Sequence, residues 1–154
     1  MSEATINNEN EIEQKDEAFT KGIELYNNKA PYDVVIETFE EGLKNNSKDS
    51  SYYTCLSWLY ILRNNGNDRK KSVEYAKNAL KYEATNAQAQ YNLVLAYMLT
   101  GRKGVREEFE KAISMSREQD IESAKSNIKE AIERGIEASD KADFEKLLKW
   151  IDQA

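Results

Sequence analysis

Residues 88–101 read QAQYNLVLAYMLTG, and the placement of their apolar side chains decides the fold class. At 3.6 residues per turn, Tyr91, Leu93, Val94, Leu95, Tyr97, Met98 and Leu99 spread around most of a helix circumference instead of forming one stripe. A helix lying on a protein surface has no use for that pattern. The stretch is also shorter than the roughly 18 apolar residues a membrane-spanning helix needs. The reading that remains is a helix whose faces have separate work, one packing the fold and one lining a groove.

Working outward, helical periodicity recurs in segments separated by short polar breaks. It predicts helices at 15–28, 32–45, 50–63, 68–83, 86–100, 103–116, 119–138 and 140–153. The breaks are Asn27-Asn28-Lys29-Ala30-Pro31, Asn45-Asn46-Ser47, Asn64-Asn65-Gly66-Asn67-Asp68, Ala84-Thr85-Asn86 and Gly101. Asn and Gly tolerate the left-handed backbone that ends helices. Asp68 and either Ser139 or Asp140 are expected to accept free amide hydrogens at helix starts, and Pro31 stands where a first-turn proline is tolerated. No strand is required. The single proline, with 40% apolar and 32% charged residues, fits the same helical class, and 154 residues suit one domain.

Composition also excludes function classes. With 22 basic against 28 acidic side chains the formal charge is −6, which repels phosphate backbones. A phosphate-binding or nucleic-acid module could use only Arg69, Lys70, Lys71, Arg102 and Lys103, and such a run is ordinarily a solvated face. The chain contains no histidine, which removes most zinc, haem and triad chemistry. Cys55 stands alone, so no internal disulfide forms. Glu107-Glu108, Glu110 and Glu130-x-x-Glu133 lie among Lys and Arg at helical spacing, as on a solvated face rather than in a catalytic pair. Neither an enzymatic role nor a cofactor or metal is expected. The first residues carry no basic segment followed by an apolar core, so the expectation is a cytoplasmic protein without a membrane partner.

A repeat organises the segments. Gly22, Ser57 and Val94 fall in register in the first helix of each pair, followed three residues later by Leu25, Tyr60 and Tyr97. The second helices align as Phe39-x-x-Gly42-Leu43, Ala76-x-x-Ala79-Leu80 and Phe109-x-x-Ala112-Ile113. Small residues at fixed positions let neighbouring helices approach closely, and the large ones fill the gaps between repeats. This pattern, over roughly residues 16–116, resembles the tetratricopeptide repeat family, whose helix pairs recur at about 34 residues. The resemblance implies an all-α, right-handed α-solenoid of three helix pairs. Residues 1–13 read as an acidic, disordered tail and 14–118 as the repeats. Residues 119–154 supply two amphipathic capping helices, with Ile121, Ala124, Ile128, Ala131, Ile132 and Gly135 on one and Phe144, Leu147, Leu148 and Ile151 on the other.

The resemblance also implies a concave surface lined by the first helices of the pairs. By register its lining is Asp16, Phe19, Ile23 and Tyr26, then Thr54, Trp58 and Ile61, then Gln88, Tyr91, Leu95 and Met98. Aromatic anchors carry a disproportionate share of binding energy, and methionine adds adaptable contacts. The expectation is therefore an adaptor or assembly scaffold that binds an apolar or amphipathic segment of another protein through Phe19, Ile23, Tyr26, Trp58, Ile61, Tyr91, Leu95 and Met98. The alternative is a self-associating structural domain, a possible homodimer, whose groove is filled by its own C-terminal helices or by a second copy. Tetratricopeptide co-chaperones hold a terminal carboxylate in a clamp of Lys, Asn and Arg. Those positions fall here on Phe19, Ile23, Cys55, Gln88 and Asn92, with no cation among them, so carboxylate capture of that kind is disfavoured.

Overall fold

A computed structural model describes residues 17–154, all of its regular structure helical. Asp16 and the tail assigned to residues 1–13 lie outside the described residues. Helix α1 covers 17–27. It is followed by α2 (Tyr32–Leu43), α3 (Ser50–Arg63), α4 (Asp68–Tyr82), α5 (Ala87–Thr100), α6 (Val105–Met115), α7 (Glu118–Arg134) and α8 (Ala138–Gln153). None of them is long and apolar enough to cross a membrane.

Helix ends follow the local chemistry. Asn64 and Gly101 close α3 and α5 in the left-handed conformation, at φ 50° and 67°. Asn86 opens α5 by accepting the Ala89 amide, and Asp49 opens α3 by accepting that of Ser51. The Pro31 carbonyl accepts the Val34 and Val35 amides at the start of α2. Two expected caps have other partners. Asp68 accepts the Asn65 amide and the Arg63 guanidinium, and Asp140 accepts both terminal nitrogens of Arg69, 71 residues away on α4. Each carboxylate gains a full charge partner instead of one amide dipole. Helix α7 also stops at Arg134, where Gly135 turns away at φ 104°.

Sequential helices pack against one another from α2 to α6, and α3 and α5 meet directly. Small residues sit where neighbouring side chains press close to the backbone. A Cβ on Gly22 would lie 2.6 Å from the Phe39 ring, and one on Gly42 would lie 2.6 Å from the Tyr52 ring and 2.8 Å from Ala18. Ala76, Ala79 and Ala112 are fully buried in the equivalent places. Gly42→Ala should therefore cost about 1–3 kcal/mol through overpacking, read as a lower urea midpoint at unchanged slope.

Helix α5 is central. It contacts α3, α4, α6, α7 and α8, which accounts for apolar residues on every side of it. Leu93, Val94 and Ala96 are buried there together with Tyr91 and Leu95. Polar side chains on the same helix are fixed to neighbours. Gln90 donates to the carbonyl and carboxylate of Glu108, while Asn92 donates to the Thr54 carbonyl. Helix α8 reaches α3, α4 and α6: Phe144 meets Trp58, Asp140 holds Arg69, and Trp150 meets Phe109 edge-on at 5.3 Å.

Candidate functional site

The inner faces of α1, α3 and α5 line two adjoining hollows that share Thr54, Cys55 and Gln88. The outer one is an open cleft of about 670 Å³, bounded by Phe19, Ser51, Glu83, Asn86, Met115, Arg117 and Asp120. The inner one holds about 180 Å³ and is mostly apolar, with Ile23, Tyr26, Phe39, Trp58 and Leu59 in its wall. Gln88, Asn92 and Asn127 supply polar groups to its lining.

Each wall is held from behind. Phe19, Phe39 and Tyr52 form an edge-to-face triangle with centroids 5.3–6.1 Å apart. The Trp58 indole N–H donates to the Tyr26 hydroxyl at 3.3 Å. From α7, Arg134 donates to the Tyr26 carbonyl at 2.9 Å and lies 4.0 Å over the Tyr26 ring, while Glu130 holds the guanidinium at 2.9 Å. Asn86 ties α5 to α3 by donating to the Ser50 and Thr54 hydroxyls, each at 2.8 Å. Gln88 donates to Asn92, so that amide pair is ordered in the lining.

Cys55 sits in both walls. Burial first, and the negative charge of Asp49 second, push its thiol up to about 12. It stays protonated at neutral pH, and thiolate nucleophilicity is absent there. Burial likewise raises the Tyr26 and Tyr91 hydroxyls above their ordinary value. Among the described residues no three His, Cys, Asp or Glu side chains are placed to share a metal ion.

The eight side chains singled out by register divide into two groups. Phe19, Ile23, Tyr26 and Trp58 line the hollows and retain partial exposure. Ile61, Tyr91 and Leu95 lie in the core at 1–2% exposure, in one cluster with Ala124, Ile128 and Ala131 of α7 and Phe144, Leu147 and Ile151 of α8. Met98 is half-buried against that cluster. The expected open surface at Ile61, Tyr91 and Leu95 is thus covered. Helices α7 and α8 each carry an apolar stripe, and α5 is the apolar surface on which both bury it. Tyr91 also shares a 2.8 Å hydrogen bond with the Ser116 hydroxyl, which fixes it inward.

Register did not supply several of the lining residues, among them Glu83 and Asn86 before and at the start of α5, and Met115, Arg117, Asp120 and Asn127 from α6, α7 and the turn between them. Asp120 and Asn127 belong to the alternative in which the C-terminal helices fold back over the groove. The basic run is also divided, because Arg69 is spent on α8 while Lys70 and Lys71 remain exposed. No family model matches the chain, and no curated protein matches it significantly.

Proposed function

We propose that the protein is a non-enzymatic interaction module of the tetratricopeptide kind, an adaptor or assembly scaffold that holds a segment of another protein in the groove between α1, α3 and α5. The observation that carries this reading is the pair of continuous hollows, lined by partly exposed Phe19, Ile23, Tyr26 and Trp58. Apolar and aromatic side chains left accessible in a concave surface are where binding energy concentrates. Support for the repeat assignment comes from Gly22 and Gly42, which face neighbouring rings too closely for a side chain, and from Ala76, Ala79 and Ala112, which are fully buried.

The covered stretch around Leu95 favours one part of the alternative, a groove partly filled by the chain's own C-terminal helices. Its homodimer form has less to build on. Val34 and Tyr82 are the exposed large apolar side chains among the described residues, and Trp150 is engaged by Phe109 and Arg106. A nucleic-acid module loses Arg69 to Asp140 and has Arg102 stacked on Tyr97.

The test compares capture from native lysate by the wild-type protein, by Ile23→Asp in the groove and by Val34→Asp outside it, each verified as folded by circular dichroism. A protein partner bound by wild type and Val34→Asp but lost with Ile23→Asp is the expected result, since the new charge must be desolvated when the groove fills. Equal capture by all three would place the function on another surface.

A further inference from the structure

We infer that the groove receives an extended segment end-on, seating one bulky apolar side chain in the inner hollow while a lysine or arginine of the same segment lies at the outer cleft. This rests on the groove reading above and adds the chemistry of the occupant.

The inner hollow takes a side chain, not a helix. Tyr26 and Trp58, joined at 3.3 Å, stand in the wall of the inner hollow, and Arg134 secures Tyr26 to α7 from outside. The face that would continue the groove past α5 is filled by Phe144, Leu147 and Ile151. A helix about 10 Å across cannot enter a space of about 180 Å³, whereas a single large apolar side chain can.

The polar groups of the lining suit a peptide backbone. Asn92 has its donor and acceptor committed to Thr54 and Gln88. Asn127 lines the same hollow, and its side-chain amide makes no hydrogen bond to another described residue. Its amide can donate to and accept from one peptide unit of an incoming strand.

The charge at the mouth selects the flank. Glu83 and Asp120 bring two carboxylates to the outer cleft, against the one guanidinium of Arg117. Arg117 is itself held by Asp120 at 3.4 Å, while Glu83 is exposed and makes no ion pair with a described residue. An occupant complementary to this mouth carries a cation.

The experiment pans a phage-displayed library of random peptides on the full-length protein, then measures selected synthetic peptides on wild type, Asn127→Phe and Glu83→Lys. Circular dichroism confirms the fold of both variants. The expected consensus is one bulky apolar position with Lys or Arg at a fixed distance. Affinity should fall about tenfold or more when Asn127→Phe occupies the hollow, and about two- to fivefold with Glu83→Lys, the latter loss shrinking as salt rises. Peptides that are lost with Asn127→Phe but show no basic position and ignore Glu83→Lys would overturn this inference and leave the groove reading standing. A helical consensus, with apolar residues three and four apart, would overturn the end-on geometry. Peptides indifferent to both variants, or no enrichment at all, would overturn the groove reading together with it.

Discussion

Leu95→Ala is expected to lower the unfolding free energy by about 2–5 kcal/mol, and Leu95→Asp to leave the chain unfolded. Leu95 is 1% exposed, among Ile61, Tyr91, Ile128, Phe144 and Leu147 in a cluster drawn from α3, α5, α7 and α8. Removing its branched end leaves a cavity whose walls belong to several helices, so no single element can move in to fill it. Urea denaturation followed by circular dichroism measures the first effect directly. Stability within about 0.5 kcal/mol of wild type, the range of ordinary surface substitutions, would show that α7 and α8 do not cover Leu95 in solution. The groove would then run on past α5.

Asp68→Ala is expected to cost about 3 kcal/mol or more. The carboxylate is 2% exposed and accepts from Arg63 Nε and Nη2 and from the Asn65 amide, each at 2.8 Å. Its loss strands part of a guanidinium that is otherwise paired with Asp33 at the surface and stacked over the Tyr60 ring. The Arg63 hydrogen bonds hold the Asp68 carboxyl below its ordinary value, against the opposing effect of burial, and the Asn65 amide lowers it further. A carboxylate whose value is depressed on folding contributes stability that is complete above the unfolded value, about 4, and is lost as pH falls through the folded one. Wild-type stability should therefore decline as pH drops below about 4, and Asp68→Asn should show a shallower decline from a lower starting point. Urea midpoints at about pH 7 and about pH 3 provide the comparison. Parallel declines in the two proteins would assign the acid sensitivity to other carboxylates.

Helix positions were legible because the breaks are local chemistry. Asn64 and Gly101 do adopt the left-handed backbone that their residue types favour. The rule of small residues at close approaches was legible for the same reason, since Gly22 and Gly42 admit no side chain. The groove was readable only as far as register reaches. Phe19, Ile23, Tyr26 and Trp58 line the two hollows, and their positions depend on adjacent helices. Ile61, Tyr91 and Leu95 depend on where α7 and α8 dock, and periodicity describes the stripe on a helix without naming the surface that receives it. Arg69 illustrates the same limit. Its charge is visible in the sequence, but its partner Asp140 is set by a docking 71 residues downstream.

The contacts from Arg134 to Tyr26, 108 residues apart, and from Asp140 to Arg69 have a consequence for synthesis. A chain made from its N-terminus has α1 to α6 complete before α7 and α8 exist. During that interval Ile61, Tyr91 and Leu95 lack the side chains that cover them, and Tyr26 lacks its guanidinium. The nascent protein therefore presents that apolar face to water until α7 and α8 have emerged, and those two helices are the ones that withdraw it.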